Sequence, residues 1–337
     1  MTTVHYATLD VFTTTPFAGN PLGVIFLPSS TSLTTEQKQT IAREINYSET
    51  IFVHPEEAGA SNKRRIDIFT TTSELPFAGH PTIGAASWFL TLAPTAGTRT
   101  GDNKAVDTII TKAGEIPISL VQNESGDVAS AADLPHDFRL HRRRFPLREL
   151  LRLHPTLETY FENAQNKQEI SFPVASIVKG MSQILVELPS LDALAAVTAA
   201  TGGELIPARS ASEGGYLDDE PGWAGDGLLV IYFYVPNVAD ESNPGRKVIR
   251  SRAFLGSLED PATGSAASGL AVYLALNQQS SGDRATRRRF DIVQGVEMGR
   301  RSDIGLEVVL TDDAKAVQSV QLSGSSVKIA EGDIRVP

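Results

Sequence analysis

At 337 residues the chain is longer than one hydrophobic core comfortably fills, so two compact domains are expected. Its net charge of −10 argues against nucleic acid or an anionic membrane as the main partner, and no apolar run reaches the 18 or so residues of a membrane helix. Cysteine is absent, which excludes disulfides, thiolate metal sites and any thiol nucleophile or base. The six histidines show no HExxH spacing, and neither GxGxxG nor GxxxxGK(S/T) occurs, so no metal, nucleotide or flavin cofactor is implied.

Val4 to Phe12 alternates as a strand, the turn-rich TTTPFAGNP follows at Thr13 to Pro21, and Leu22 to Leu27 returns to a strand pattern. No basic stretch precedes an apolar one at the N-terminus, so a cytoplasmic address is expected. Thr34 to Ile45 predicts a helix capped by Thr34, and Glu49 to Val53 a strand, which puts Glu49 at a helix-to-strand junction. Lys63 to Thr70 reads as a strand and Pro81 to Leu92 as a helix. NESGDVASAAD, from Asn123 to Asp133, predicts a surface loop or linker, with one or two amphipathic helices in Pro146 to Ala164. Ser176 to Leu188 and Gly227 to Val235 read as buried strands, with a helix over Asp192 to Ala200 between them. Gly305 to Leu310 and Val327 to Ile334 add strands near the end. The arginine runs at 142–144 and 287–289 read as solvated faces, with anion sites as the alternative.

A weak internal repeat carries chemical meaning. Gly79 laid over Gly264 sets GHPTIGAASWFL on GSAASGLAVYLA, with Gly84 on Gly269 and Ala86 on Ala271. Both segments pass from a Pro-containing loop through Gly into an apolar helix of small residues. His80 is expected near the N-cap with Pro81 at the first helical position, and Ser265 is expected as an N-cap. Free N–H groups in the first turn, with the helix dipole behind them, favour an anion such as a carboxylate. Taken alone, a Ser at a helix start is most often a plain cap, and Gly there a plain turn.

The stretches DVFTTTPFAGNPLGV (Asp10 to Val24), INYSETIFV (Ile45 to Val53), ELPFAGHPTIGAA (Glu74 to Ala86), EDPATGSA (Glu259 to Ala266) and QGVEMGR (Gln294 to Arg300) occur in one order across nearly the whole chain. In these the sequence resembles the PhzF-like phenazine-biosynthesis isomerase family, which shares the diaminopimelate epimerase-like fold. The resemblance implies an α/β (α+β) protein of two similar domains, each a mixed sheet rolled around a central helix, with the active site in the interdomain cleft. The expected domains are 1–122 with 323–337, and 123–322. It also implies a homodimer, no cofactor, and a small carboxylic acid as substrate. The family glutamate that moves a proton on trans-2,3-dihydro-3-hydroxyanthranilate falls on Glu49. The histidine, aspartate and serine that bind and orient substrate fall on His80, Asp260 and Ser265, and Asn20, Gly79 and Gly264 are expected to contact it.

Moving a proton between carbons needs one base that keeps the proton and returns it elsewhere, and a dry site is expected to raise the Glu49 pKa toward neutrality. The epimerases and racemases of this fold use two cysteines, at the positions of His80 and Ser265, so their mechanism is excluded here. Departures exist: Ala267 stands where relatives often carry His, Gly299 to Ser302 reads GRRS where GRPS is common, and Asp127 to Asn166 matches poorly. The expectation is a cofactor-independent isomerase acting on a small carboxylic acid, cyclic amino and hydroxy acids included. The alternatives are a lyase or cyclase using the same Glu49, or a non-catalytic binding or scaffold protein on this fold.

Overall fold

A computed structural model of the chain describes residues 2–30, 32–57, 59, 62–93, 105–122, 126, 128–277 and 286–337. The chain divides into two compact units, Met1–Pro135 with Gln321–Pro337, and His136–Val320. Each is a mixed sheet with a helix on its inner face.

In the first unit Thr3–Val11 lies antiparallel between Asn20–Phe26 and the closing strand Ser326–Arg335. Asn20–Phe26 pairs in parallel with Glu49–Val53, which continues antiparallel into Lys63–Phe69. Thr108–Thr111, Gly114–Gln122 and Val128–Asp133 extend the sheet to Gln321–Gly324. The expected loop at Asn123 to Asp133 is therefore in part a strand, and the junction drawn from the sequence at 122/123 falls within this hairpin.

Two helices cover opposite faces of that sheet. Thr35–Ile45 is fixed by a capping box: Gln37 N–H donates to Thr34 Oγ1 at 3.2 Å, while Gln37 Oε1 accepts from Thr34 N–H at 3.0 Å. Its Ile41 and Ala42 bury against Ile25, Phe52 and Phe69. The inner helix, Gly79–Ser87, is buried along its whole length and continues as a π-helical turn over Trp88–Leu92. A helix buried on every side must be apolar or small all round, and GHPTIGAAS meets that condition.

The second unit runs Arg139–Leu140, Val174–Val178, Met181–Glu187, Leu228–Asp240, Asn243–Leu255, Arg287–Gln294 and Ser302–Leu310 across its sheet. The single strand expected over Ser176 to Leu188 is a hairpin, because the chain reverses at Lys179–Gly180, where Gly180 takes φ +84°. Strand alternation sorts its residues: Ile184 and Val186 join an outer core with Leu147, Leu150 and Leu194, while Gln183 faces the inner helix Gly264–Asn277 at Gly269. The helix expected over Asp192 to Ala200 is only Leu191–Ala195, capped by Ser190. Arg287 and Arg289 stand on a strand and pair with Glu307 of the next one.

Candidate active site

Glu49 opens its strand, and the parallel register sets it beside Leu22. Leu22 packs against the inner helix at Gly84, so this face of the sheet lies against that helix. Asn20, two residues before Leu22, is buried at the start of the neighbouring strand, and the alternation of side chains places it on the face shared by Leu22 and Glu49. The sequence thus sets Asn20 and Glu49 at the same end of two adjacent strands.

The inner helix begins at Gly79, not Pro81. Ala78, in extended conformation, is the N-cap and offers no side-chain acceptor. His80 is therefore the second helical residue and Pro81 the third, where its missing N–H still costs nothing because the first-turn N–H groups have no intrahelical partner. From this position His80 Nδ1 meets Glu49 Oε2 at 3.0 Å, the side chains being 4% and 19% exposed. His80 Nε2 is buried with no hydrogen-bond partner among the described residues.

This pairing reverses the expectation for Glu49. Burial pushes the carboxyl up, but the hydrogen bond and charge of His80, with a hydrogen bond from Ser48, outweigh it and hold Glu49 below the ordinary glutamate range. The resting carboxylate is ionised, accepting the Nδ1–H of His80.

In the second unit Asp260 and Ser265 flank the start of the helix Gly264–Asn277. Ala267 N–H donates to Thr263 O at 2.9 Å, so Thr263 stands at the N-cap and Ser265 is the second helical residue, not the cap. Ser265 and His80 thus hold equivalent positions on the two inner helices, each after a buried glycine, Gly264 or Gly79. The Ser265 hydroxyl makes no hydrogen bond among the described residues. Asp260 is engaged by its own turn: Oδ2 accepts from Thr263 Oγ1 at 2.7 Å and Oδ1 from Ala262 N–H at 3.4 Å.

The sequence reading left three residues here without a role. Gln294, fully buried, bonds both ends of the Asp260–Thr263 turn, and Tyr232 and Ser251 stand behind it. Gln294 opens the QGVEMGR stretch, which was the available signal; nothing in the sequence singled out Tyr232. Among the described residues no group of three or more His, Asp or Glu side chains is placed to hold a metal, and no helix is long and apolar enough to cross a membrane.

Two α/β units, each a mixed sheet around a buried helix that starts at a glycine, define a diaminopimelate epimerase-like fold. The chain belongs to the phenazine biosynthesis-like (PhzC-PhzF) family, whose model matches residues 9–332, and it is an isomerase. It is 31% identical to an uncharacterized isomerase of Mesorhizobium japonicum, the match covering 99% of each chain. It is also 31% identical to the trans-2,3-dihydro-3-hydroxyanthranilate isomerase of Pseudomonas chlororaphis, over 98% of this chain and 99% of that one. Among solved structures, a PhzF-family phenazine biosynthesis protein from Bacillus anthracis superposes with a TM-score of 0.71 at 22% identity, covering all of both chains. A probable proline racemase from Agrobacterium radiobacter gives 0.57 at 12% identity, over 99% of this chain and 93% of that one, a likeness of fold alone.

Proposed function

We propose that the chain moves a proton between two carbon atoms of a small carboxylic acid, cyclic amino and hydroxy acids being the class in view, with Glu49 as both base and acid. The observation that carries this reading is the Glu49–His80 pair: an ionised carboxylate at the end of a strand, bonded to a histidine whose other ring nitrogen has no partner among the described residues. The relative from Pseudomonas chlororaphis supports the substrate class by its name.

In the proposed reaction Glu49 takes a proton from carbon while the C–H electron pair moves into the adjoining π system. The proton then returns to a different carbon, so product and substrate are isomers and no electron acceptor is consumed. His80 Nε2, buried and without a partner among the described residues, is proposed to meet a substrate oxygen. Asp260 and Ser265 are proposed to bind and orient the acid, and Asn20, Gly79 and Gly264 to contact it.

The test is incubation of the purified protein with trans-2,3-dihydro-3-hydroxyanthranilate in D₂O, followed by NMR, with Glu49→Gln in parallel. Turnover by the wild type and a loss of about 100-fold or more in a folded Glu49→Gln variant are expected, the range for removal of a general acid or base. Neither isomerisation nor entry of solvent deuterium with the wild type would refute this substrate. Undiminished turnover by Glu49→Gln would refute Glu49 as the base.

A further inference from the structure

Gln294 ends the strand Arg287–Gln294 and uses every hydrogen-bonding position of its amide. Oε1 accepts from Tyr232 OH at 3.0 Å and from Thr263 N–H at 3.2 Å, while Nε2 donates to Asp260 O at 2.7 Å and to Thr263 Oγ1 at 3.1 Å. An amide offers two donors and two acceptor lone pairs, so nothing is left over. The orientation is fixed by the partners: turned over, the amide oxygen would face the Asp260 carbonyl, and its NH₂ would face the Thr263 N–H.

That orientation has a consequence one bond further on. Because the Thr263 hydroxyl accepts from Gln294, it has its own proton to give, and it gives it to Asp260 Oδ2. The amide therefore sets the direction of the hydroxyl that Asp260 receives. Gln294, Tyr232 and Ser251 are all fully buried, and Ser251 stands beside Gln294 in the parallel register with its hydroxyl 3.0 Å from Tyr232 OH. The next residue brings the strand end close to the turn. At Gly295, with φ +74°, an added Cβ would lie 2.7 Å from Pro261 O and 2.6 Å from Arg300 O, so only glycine lets the two segments approach this closely.

We propose that Gln294 is a positioning residue. It pins the Asp260–Thr263 turn, hence the N-cap of the helix Gly264–Asn277, and it orients the Thr263 hydroxyl toward Asp260. Its effect on turnover rests on the function proposed above; its effect on the turn does not.

Two measurements separate these. The first is amide hydrogen exchange in the ligand-free protein. Thr263 N–H is expected to be protected in the wild type and in Gln294→Glu, which keeps an acceptor, and to exchange at least tenfold faster in Gln294→Met, with Ala267 N–H little changed. Equal protection of Thr263 in wild type and Gln294→Met would overturn the proposal. The second is a cycle of Gln294→Glu and Thr263→Val on turnover of trans-2,3-dihydro-3-hydroxyanthranilate. Gln294→Glu turns the Thr263 proton away from Asp260, and Thr263→Val removes it. Each is expected to lower kcat/KM about tenfold or more, the double variant no further than the worse single one, while Thr263→Ser stays close to wild type. Multiplying losses would overturn the relay through Thr263. If the wild type does not act on this compound, the proposed substrate fails and the exchange measurement still decides the positioning role.

Discussion

Gly269→Ala places a methyl group on the inner helix of the second unit where Gln183 already is. An ideal Cβ there lies 1.5 Å from Gln183 Nε2 and 2.8 Å from its Cδ. Ordinary contact needs roughly 3.5 Å, so the amide must retreat by about 2 Å inside a packed interior. Overpacking of that kind costs about 1–3 kcal/mol, while alanine gains about 1 kcal/mol over glycine in a helix interior. The net expectation is a loss of about 0–2 kcal/mol. Gln183→Ala removes the obstacle, and with it a buried Nε2 that has no hydrogen-bond partner among the described residues. In that background Gly269→Ala should show only the helical gain and stabilise by about 1 kcal/mol, a reversal of sign and a coupling of about 1–3 kcal/mol. Native-state hydrogen exchange of the Met181–Glu187 amides reads the stability of this unit in all four proteins. If Gly269→Ala costs the same with and without Gln183, the amide is not what keeps a side chain out of this position.

Two further expectations concern acid. Asp67 is largely buried and bonded to His54 Nε2 at 2.7 Å and to Lys38 Nζ. Burial pushes its carboxyl up, but these hydrogen bonds and charges prevail and bring it down to about 2. A carboxyl with a depressed folded pKa stabilises fully above the unfolded value of about 3.9, and the stabilisation, about 2–3 kcal/mol here, is lost as the pH falls toward 2. Denaturant titrations at pH 5 and pH 2.5 should show most of that loss in the wild type and little of it in Asp67→Asn; equal losses would rule out Asp67 as its source. The second expectation follows from Glu49, which the proposed reaction uses ionised and which sits below the ordinary range. The acid limb of kcat/KM should lie below about 4.3, the unperturbed glutamate value, and rise in a His80→Gln variant, which keeps a hydrogen bond but cannot carry charge. A limb near neutrality in the wild type would mean that burial, not His80, governs this carboxylate.

Much of the architecture was legible because local chemistry and tertiary demand agree. Thr34, expected as a cap, caps its helix, and Gln37 completes a capping box with it. The repeat that laid Gly84 on Gly269 proves to have a steric basis: an added Cβ would lie 2.2 Å from Leu22 Cδ2 at the first and 1.5 Å from Gln183 Nε2 at the second, so each inner helix lies against its sheet too closely there for a side chain. What stayed hidden was made by pairing partners. Val128–Asp133 has the composition of a loop and becomes a strand because Gly114–Gln122 and Gln321–Gly324 lie on either side of it. Asn243–Leu255 looks too charged for a sheet, yet Arg246 meets Asp291 at 2.5 Å, Arg250 meets Glu297 at 2.7 Å and Arg252 meets Glu259 at 2.7 Å. Glu49 shows the same limit: its place at the start of a strand was readable, but the sign of its pKa shift depends on His80, 31 residues away in sequence.

The two inner helices begin alike and differ in what their second residue meets. His80 is bonded to a carboxylate, whereas Ser265 has a hydroxyl without a partner among the described residues, next to a turn whose acid, Asp260, is held by Thr263 and through it by Gln294. For a proton shift by a single base this asymmetry is useful, since a second free carboxylate would compete for the proton and lose the regiochemistry of its return. On this reading the same helix start serves two purposes: in the first unit it supplies a partner to the group that carries the proton, and in the second it presents a hydroxyl and first-turn N–H groups as fixed donors that take no part in the transfer.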